Sequence, residues 1–273
     1  MKANLCRAVF AFVLLFCMIP AATAQYFRFD NRQAYASEQD VEDAVETVLK
    51  FFSSFVGGGM YHTADLHDFG GLDVGLRGIV ATIPDEFESV PVFDDENRIG
   101  LAFLHGSLGL PGRFELTGRF FYFPLGSDSD VTLDPPRAAD SRGGVTLIGG
   151  GLKYGLVQLP GLPKVMLLAA YHALFVPEEF DFGTVSTFSL KAVASQSLPI
   201  FTVYVAGGID LTRLKLDEDL PLFPDLGGKR FSGSEAHFTI GATVKPFPLL
   251  HVNASYSFSE FNTFDLGLGV SLW

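Results

Sequence analysis

The strongest constraint on this chain is an alternation of period two that runs to its last residues. Ala236, Phe238, Ile240, Ala242 and Val244 share one face, while His237, Thr239, Gly241, Thr243 and Lys245 share the other. The pattern returns with Val252, Ala254, Tyr256 and Phe258 against His251, Asn253, Ser255, Ser257 and Ser259. It returns once more with Phe264, Leu266, Leu268, Val270 and Leu272 against Thr263, Asp265, Gly267, Gly269 and Ser271. Successive side chains point to opposite sides only in an extended strand. Further strands are expected near 200–212, 185–196, 164–175, 144–156, 114–124, 99–108 and 72–82. Each is near the length that a tilted strand needs to cross a bilayer.

The connections sharpen the reading. Gly109–Gly112, Val157–Pro163, Ser197–Pro199 and Pro246–Leu249 are short, and they alternate with long stretches at 83–97, 125–142, 176–184 and 213–234. Short turns on one side and long loops on the other mark an outer-membrane barrel. The polar phase of the strands is mostly Gly, Ser, Thr, Asn and Ala, whereas a soluble barrel would spread Lys, Glu and Asp over its wet face. The expected fold class is therefore all-β: an antiparallel transmembrane β-barrel of about ten strands (range about 8 to 12), with an N-terminal amphipathic helix.

Composition agrees. The chain is 48% hydrophobic and only 18% charged, below the usual quarter, yet no apolar run after the first residues is long enough for a membrane helix. Lys2 and Arg7, an apolar run from Ala8 to Pro20, and Ala22-Thr23-Ala24 read as an export signal. The expected organisation is a signal peptide at 1–24, an N-terminal segment with a periplasmic helix at 25–58, and an outer-membrane barrel at 59–273. A lipoprotein signal at Cys17 is disfavoured, because Phe16 stands where that processing wants a small residue. Both cysteines, Cys6 and Cys17, fall within the removed segment, so the mature chain is expected to hold no disulfide or thiol nucleophile. Without Lys2 and Arg7 it carries 17 basic against 31 acidic side chains, a balance that excludes nucleic acid as a partner.

Val41, Ala44, Val45, Val48, Leu49, Phe52 and Phe55 recur at helical spacing after Ser37, a candidate N-cap, until Gly57-Gly58-Gly59 ends the run. The helix is expected to cover apolar surface at the periplasmic mouth rather than to plug the lumen, since about ten strands leave little room inside.

Asp73, Arg77, Glu115 and Arg119 fall on the polar phase of early strands and are the candidate lumen charges, expected to pair with one another and fix strand register. A charged constriction that selects solutes is the functional alternative. Asp265, Gly267, Val270, Leu272 and Trp273 match the C-terminal signal by which barrels are recognised for assembly, with Trp273 one residue out of phase. Phe121, Tyr122, Phe123, Tyr154, Tyr171, Phe175 and Phe201 are candidates for interfacial girdles, and Phe87, Phe93, Phe180, Phe182, Phe223 and Phe231 for a greasy external landing site. His62, Asp65, His67 and Asp68 do not have a recognised ligand spacing. His105, His172, His237 and His251 are scattered, and no Gly-x-Ser-x-Gly elbow occurs. No metal, cofactor or catalytic residue is therefore assigned, and no enzyme is expected. The expected partners are outer-membrane lipid, the barrel-assembly machinery and a small or lipophilic solute; an occluded structural or surface-binding barrel is the alternative.

The segments Gly59-Met60-Tyr61-His62-Thr63-Ala64-Asp65-Leu66-His67, Gly71-Leu72-Asp73, Gly109 to Arg119, Gly149-Gly150-Gly151-Leu152-Lys153 and Leu159-Pro160 together resemble an uncharacterised outer-membrane barrel family, domain of unknown function 6588. The resemblance spans nearly the whole mature chain. The chain departs from the family pattern at Met60, where an aromatic is usual, and at His62, where Asn is usual. The resemblance implies the fold and an outer-membrane location, and no catalytic residue.

Overall fold

A computed structural model describes residues 38–87, 97–124, 144–175, 184–216 and 228–272. The expected signal peptide, Ser37, Phe93, Phe180, Phe182, Phe223 and Trp273 lie outside these residues. Helix α1 (Glu38–Gly57) is followed by β1 (Leu72–Thr82), β2 (Arg98–Leu110), β3 (Phe114–Pro124), β4 (Gly144–Val157), β5 (Lys164–Phe175), β6 (Thr184–Ser197), β7 (Phe201–Lys215), β8 (Arg230–Val244), β9 (Leu250–Phe258) and β10 (Thr263–Leu272). Every sequential pair is antiparallel, and β1 also pairs with β10 from Leu72↔Leu272 to Ala81↔Thr263, so the ten strands form a closed barrel. Closure leaves no strand edge to be satisfied by water. No helix among the described residues is long and apolar enough to cross a membrane.

The apolar phase faces outward. Leu76, Leu104, Leu116, Ile148, Leu167, Phe188, Ile209, Ile240 and Phe264 are all exposed on the outer surface. Toward the long-loop end the outward positions become polar or basic, with Thr82, Arg98, Arg213, Lys215 and Arg230 exposed. Tyr154 and Phe201 lie outward near the short turns and Tyr122 and Phe175 outward near the long loops, whereas Phe121 turns inward onto Phe103. The four short turns are tight; Gly112 and Arg113 between β2 and β3 both adopt positive φ (77° and 66°), a conformation glycine reaches without the Cβ clash that Arg113 must tolerate. The β9–β10 connection at the long-loop end is also short, covering residues 259–262.

The helix does not cover the short-turn mouth. It lies inside the barrel, against β7 and β8 above all. Val48, Phe51, Phe55 and Val56 pack on inward-facing Ile79, Ala81, Ile99, Phe103 and Leu147, and Phe261 from the β9–β10 turn closes this cluster. Val45 and Leu49 pack on Val185, Leu214 and Leu216 at the long-loop end. On the β8 side Gly233 gives the room: a Cβ there would stand 3.8 Å from the Cβ of Leu49, so the helix rests directly on the β8 backbone. The lumen is thus partly apolar, which the inner phase of the last three strands, free of large apolar residues from Glu235 onward, does not foretell.

Candidate functional site

The chain after α1 completes the plug. Residues 58–71 run as an extended strap down the lumen from mid-height to the short-turn end, where Gly70 N–H donates to the Gly109 carbonyl (3.0 Å) and Gly109 N–H to that of Gly71 (2.8 Å). In the lower lumen Met60, Tyr61 and Ala64 pack on Met166, Leu168, Ala170, Val193, Tyr204 and Ala206. Glycines on the inner phase let bulky neighbours lie flat against the wall. A Cβ on Gly241 would meet the Tyr204 ring at 2.3 Å, and one on Gly149 would meet His172 at the same distance.

Inward polar side chains hold the strap by its backbone. Arg119 donates from Nη1 to the Gly58 carbonyl (2.8 Å) and from Nη2 to that of Val56, while its guanidinium lies against the His172 ring. It thereby caps the Val56 carbonyl in the last turn of α1 and ties down Gly58 just beyond it, with a cation at the negative end of the helix dipole. Arg77 donates to the Tyr61 carbonyl (2.8 Å) and from Nη2 to His62 Nδ1 (2.9 Å), which holds that imidazole as the Nε2–H tautomer. Thr243 donates to the His62 carbonyl. Ser195 Oγ accepts from the Ala64 amide (2.9 Å), and Gln158 donates to the Ala64 carbonyl (2.8 Å). Glu115 accepts the His67 amide (3.0 Å) and lies 2.8 Å from its ring Nδ1.

All four candidate lumen charges therefore face inward and are buried, but they do not pair with one another. Arg77 and Arg119 serve the strap, Glu115 pairs with Lys153 (2.6 Å), and Asp73 accepts from Ser271 (2.7 Å). The reason is reach: the strap brings carbonyls and a histidine into the space between the walls, and these meet the arginines first. Lys153, Lys191 and Asp210 complete the set. Lys191 contacts Asp210 at 2.7 Å, and His237 Nε2 lies 2.8 Å from the same carboxylate oxygen. Asp265, assigned from sequence to the assembly signal, also faces the lumen: it accepts from Ser255 (3.2 Å), and a Cβ on Gly58 would come within 2.9 Å of it. Gly267 faces inward under Asn253, whereas Val270 and Leu272 stay on the outer phase.

All six histidines of the chain reach the lumen, although sequence places them far apart. His62, Asp73 and His251 bring ligand-type atoms within 4.8 Å of one another. They are not arranged as a metal centre: the two imidazoles are stacked, with centroids 4.2 Å apart and planes 10° apart. In-plane lone pairs of parallel rings cannot converge on one ion. Arg77 on His62 adds a positive charge beside the same spot. His105 Nδ1 (3.9 Å) and His251 Nδ1 (3.5 Å) flank the Asp73 carboxylate.

The family described as Family of unknown function (DUF6588) matches residues 92–272. The chain belongs to this family. The match begins after β1, so for this DUF6588 member it is narrower than the resemblance read from sequence and leaves out the helix, the strap and the first strand. No curated protein matches the chain. Among solved structures, the N-terminal β-barrel domain of Pseudomonas aeruginosa OprF is 12% identical, with 76% of this chain and 100% of that one covered and a TM-score of 0.34. The attachment invasion locus protein Ail of Yersinia pestis, in complex with the heparin analogue sucrose octasulfate, is 12% identical over 75% of this chain and 99% of its own, at a TM-score of 0.31. The translocator domain of autotransporter NalP from Neisseria meningitidis is 10% identical over 86% and 95%, at 0.30. Nothing about activity transfers at this distance.

Proposed function

We propose that this DUF6588 member is a non-enzymatic outer-membrane barrel whose lumen is held shut by its own N-terminal segment. The observation that carries the reading is the ladder of wall side chains on the strap backbone, from Arg119 on Val56 and Gly58 down to Glu115 on His67. Most of the buried charges and histidines hold the strap or one another, while Asp210 Oδ1, His237 Nδ1 and Asp265 Oδ1 have no hydrogen-bond partner among the described residues. The apolar exterior supports a lipid environment, and the alternation of short turns with long loops supports the outer membrane, with short turns on the periplasmic side. Passage of a small or lipophilic solute is the second reading. It is favoured by the noncovalent hold on the strap, and it requires the strap to leave.

Leu49→Cys with Gly233→Cys tests both readings. The Cβ separation of 3.8 Å at this pair suits a disulfide. The wild-type protein and the oxidised double variant are expected to be silent in planar bilayers, and a chain lacking residues 38–66 to conduct. Conductance of the wild-type protein equal to that of the deletion would sink the closed-barrel reading. Opening of the reduced but not the oxidised double variant on addition of a solute would establish passage.

A further inference from the structure

We infer that the barrel carries its own N-terminal segment to the outer face of the membrane: the first turns of α1 stand at the long-loop end, and the chain enters the lumen there, from outside inward. The inference rests on the closed-barrel reading and adds a direction to it. Glu42 meets Lys229 (3.0 Å), the residue before β8 begins at the long-loop end. One to two turns further on, Val45 and Leu49 pack on Leu214 and Leu216, at and just past the end of β7. Lys50 reaches Glu260 (3.2 Å) in the β9–β10 turn, again at that end. Only then does the chain descend: Ser54 accepts from Ser259 (3.1 Å), a Cβ on Gly57 would touch mid-barrel Asp210 and His237, Tyr61 donates to Thr239 (3.1 Å), and His67 meets Glu115 near the short turns.

A helix of 20 residues spans about 30 Å, so α1 and the strap together cover the height of the barrel in a single pass. The way back is shut. The space around the strap is packed by Met60, Tyr61, Met166, Leu168 and Tyr204, all buried, and the wall has no open seam, because β1 and β10 pair over ten registers. The outer surface below the rim is apolar and cannot take a charged chain. Glu42, Asp43, Glu46 and Lys50, within three turns, sit instead where the barrel exterior turns polar, at the level of Lys215 and Arg230. The first strand then starts at the short-turn end, where Leu72 pairs with Leu108 and Leu272. The lumen is thereby used as a guide for the protein's own chain.

The test uses the full-length chain in cells, with single cysteines at two exposed positions, Glu46→Cys in α1 and Leu162→Cys in the β4–β5 turn, each first shown to keep the gel shift between unboiled and boiled samples. A membrane-impermeant maleimide is applied to intact and to permeabilised cells. The expected result is that Glu46→Cys labels in intact cells at least ten times more than Leu162→Cys, with equal labelling after permeabilisation. Labelling of both only after permeabilisation, of Leu162→Cys alone in intact cells, or of both equally in intact cells overturns the inference. Asp43→Cys replaces Glu46→Cys should that variant lose the gel shift. Failure here with bilayer silence retained leaves the closed barrel standing and removes only its direction.

Discussion

Arg119 shows how much one inward side chain can carry. Its two donors go to Val56 and Gly58, carbonyls at the end of α1 that have no other described donor, in a lumen where an unmet acceptor costs about 1–3 kcal/mol. Arg119→Ala is expected to lower the temperature at which the unboiled gel form is lost and to raise proteolysis of the strap severalfold. Arg119→Lys should recover only part of this, because a point charge cannot bridge two carbonyls as the planar fork does. Gly241→Val drives a side chain into the Tyr204 ring, which a Cβ alone would approach to 2.3 Å. It should destabilise by about 1–3 kcal/mol, and Tyr204→Ala in the same chain should return much of the loss, giving a non-additive double-mutant cycle in thermal unfolding.

At the scale of elements, α1 is held by two kinds of contact. Its apolar face, centred on Phe51 and Phe55, buries against Ile79, Phe103 and Phe261, with Phe51 and Phe261 edge-on at 5.5 Å between centroids. Its polar face keeps Glu46 and Lys50 toward the opening. Phe55→Ala is expected to cost about 3–5 kcal/mol, whereas Glu46→Ala should change stability by less than about 0.5 kcal/mol; paired thermal melts in detergent would show the contrast. The same spacing in a surface helix would put Phe55 on a shallow contact, and a small penalty for Phe55→Ala would place α1 outside the lumen.

For the whole molecule, we expect the strands and the plug to be separable. The ten strands pair around the whole circuit, β1–β10 seam included, with no residue of 38–66 in the ladders, and the ion pairs Lys191–Asp210 and Lys153–Glu115 join wall to wall. A chain lacking residues 38–66 is therefore expected to keep its shift on boiling, at a lower transition temperature, and to sediment with the outer membrane. Loss of the shift would mean that the plug is part of the folding core. Oxidation of the Leu49→Cys, Gly233→Cys pair should raise the transition temperature, because it ties the plug to β8 across a long loop of chain.

The sequence alone determined the strands, their order and which phase faces out. Period-two alternation is a local property, and short turns leave neighbouring strands no other partner; β1, β3 and β5 coincide with the expected 72–82, 114–124 and 164–175, whereas β7 runs on to Lys215 and β8 begins at Arg230, both within the stretch 213–234 read as a loop. The inward direction of Asp73, Arg77, Glu115 and Arg119 was legible for the same reason. What each inward residue meets was not. Arg119 finds Val56, Lys50 finds Glu260 and Thr243 finds His62 only because closure brings distant strands around one axis and the strap passes through it. Amphipathic spacing likewise says that α1 must bury one face, but not against what. Only the tertiary structure decided for the lumen, because inward Ile79, Ile99, Phe103, Leu147 and Leu214 and the space at Gly233 lie on different strands and meet one helix only once the barrel closes.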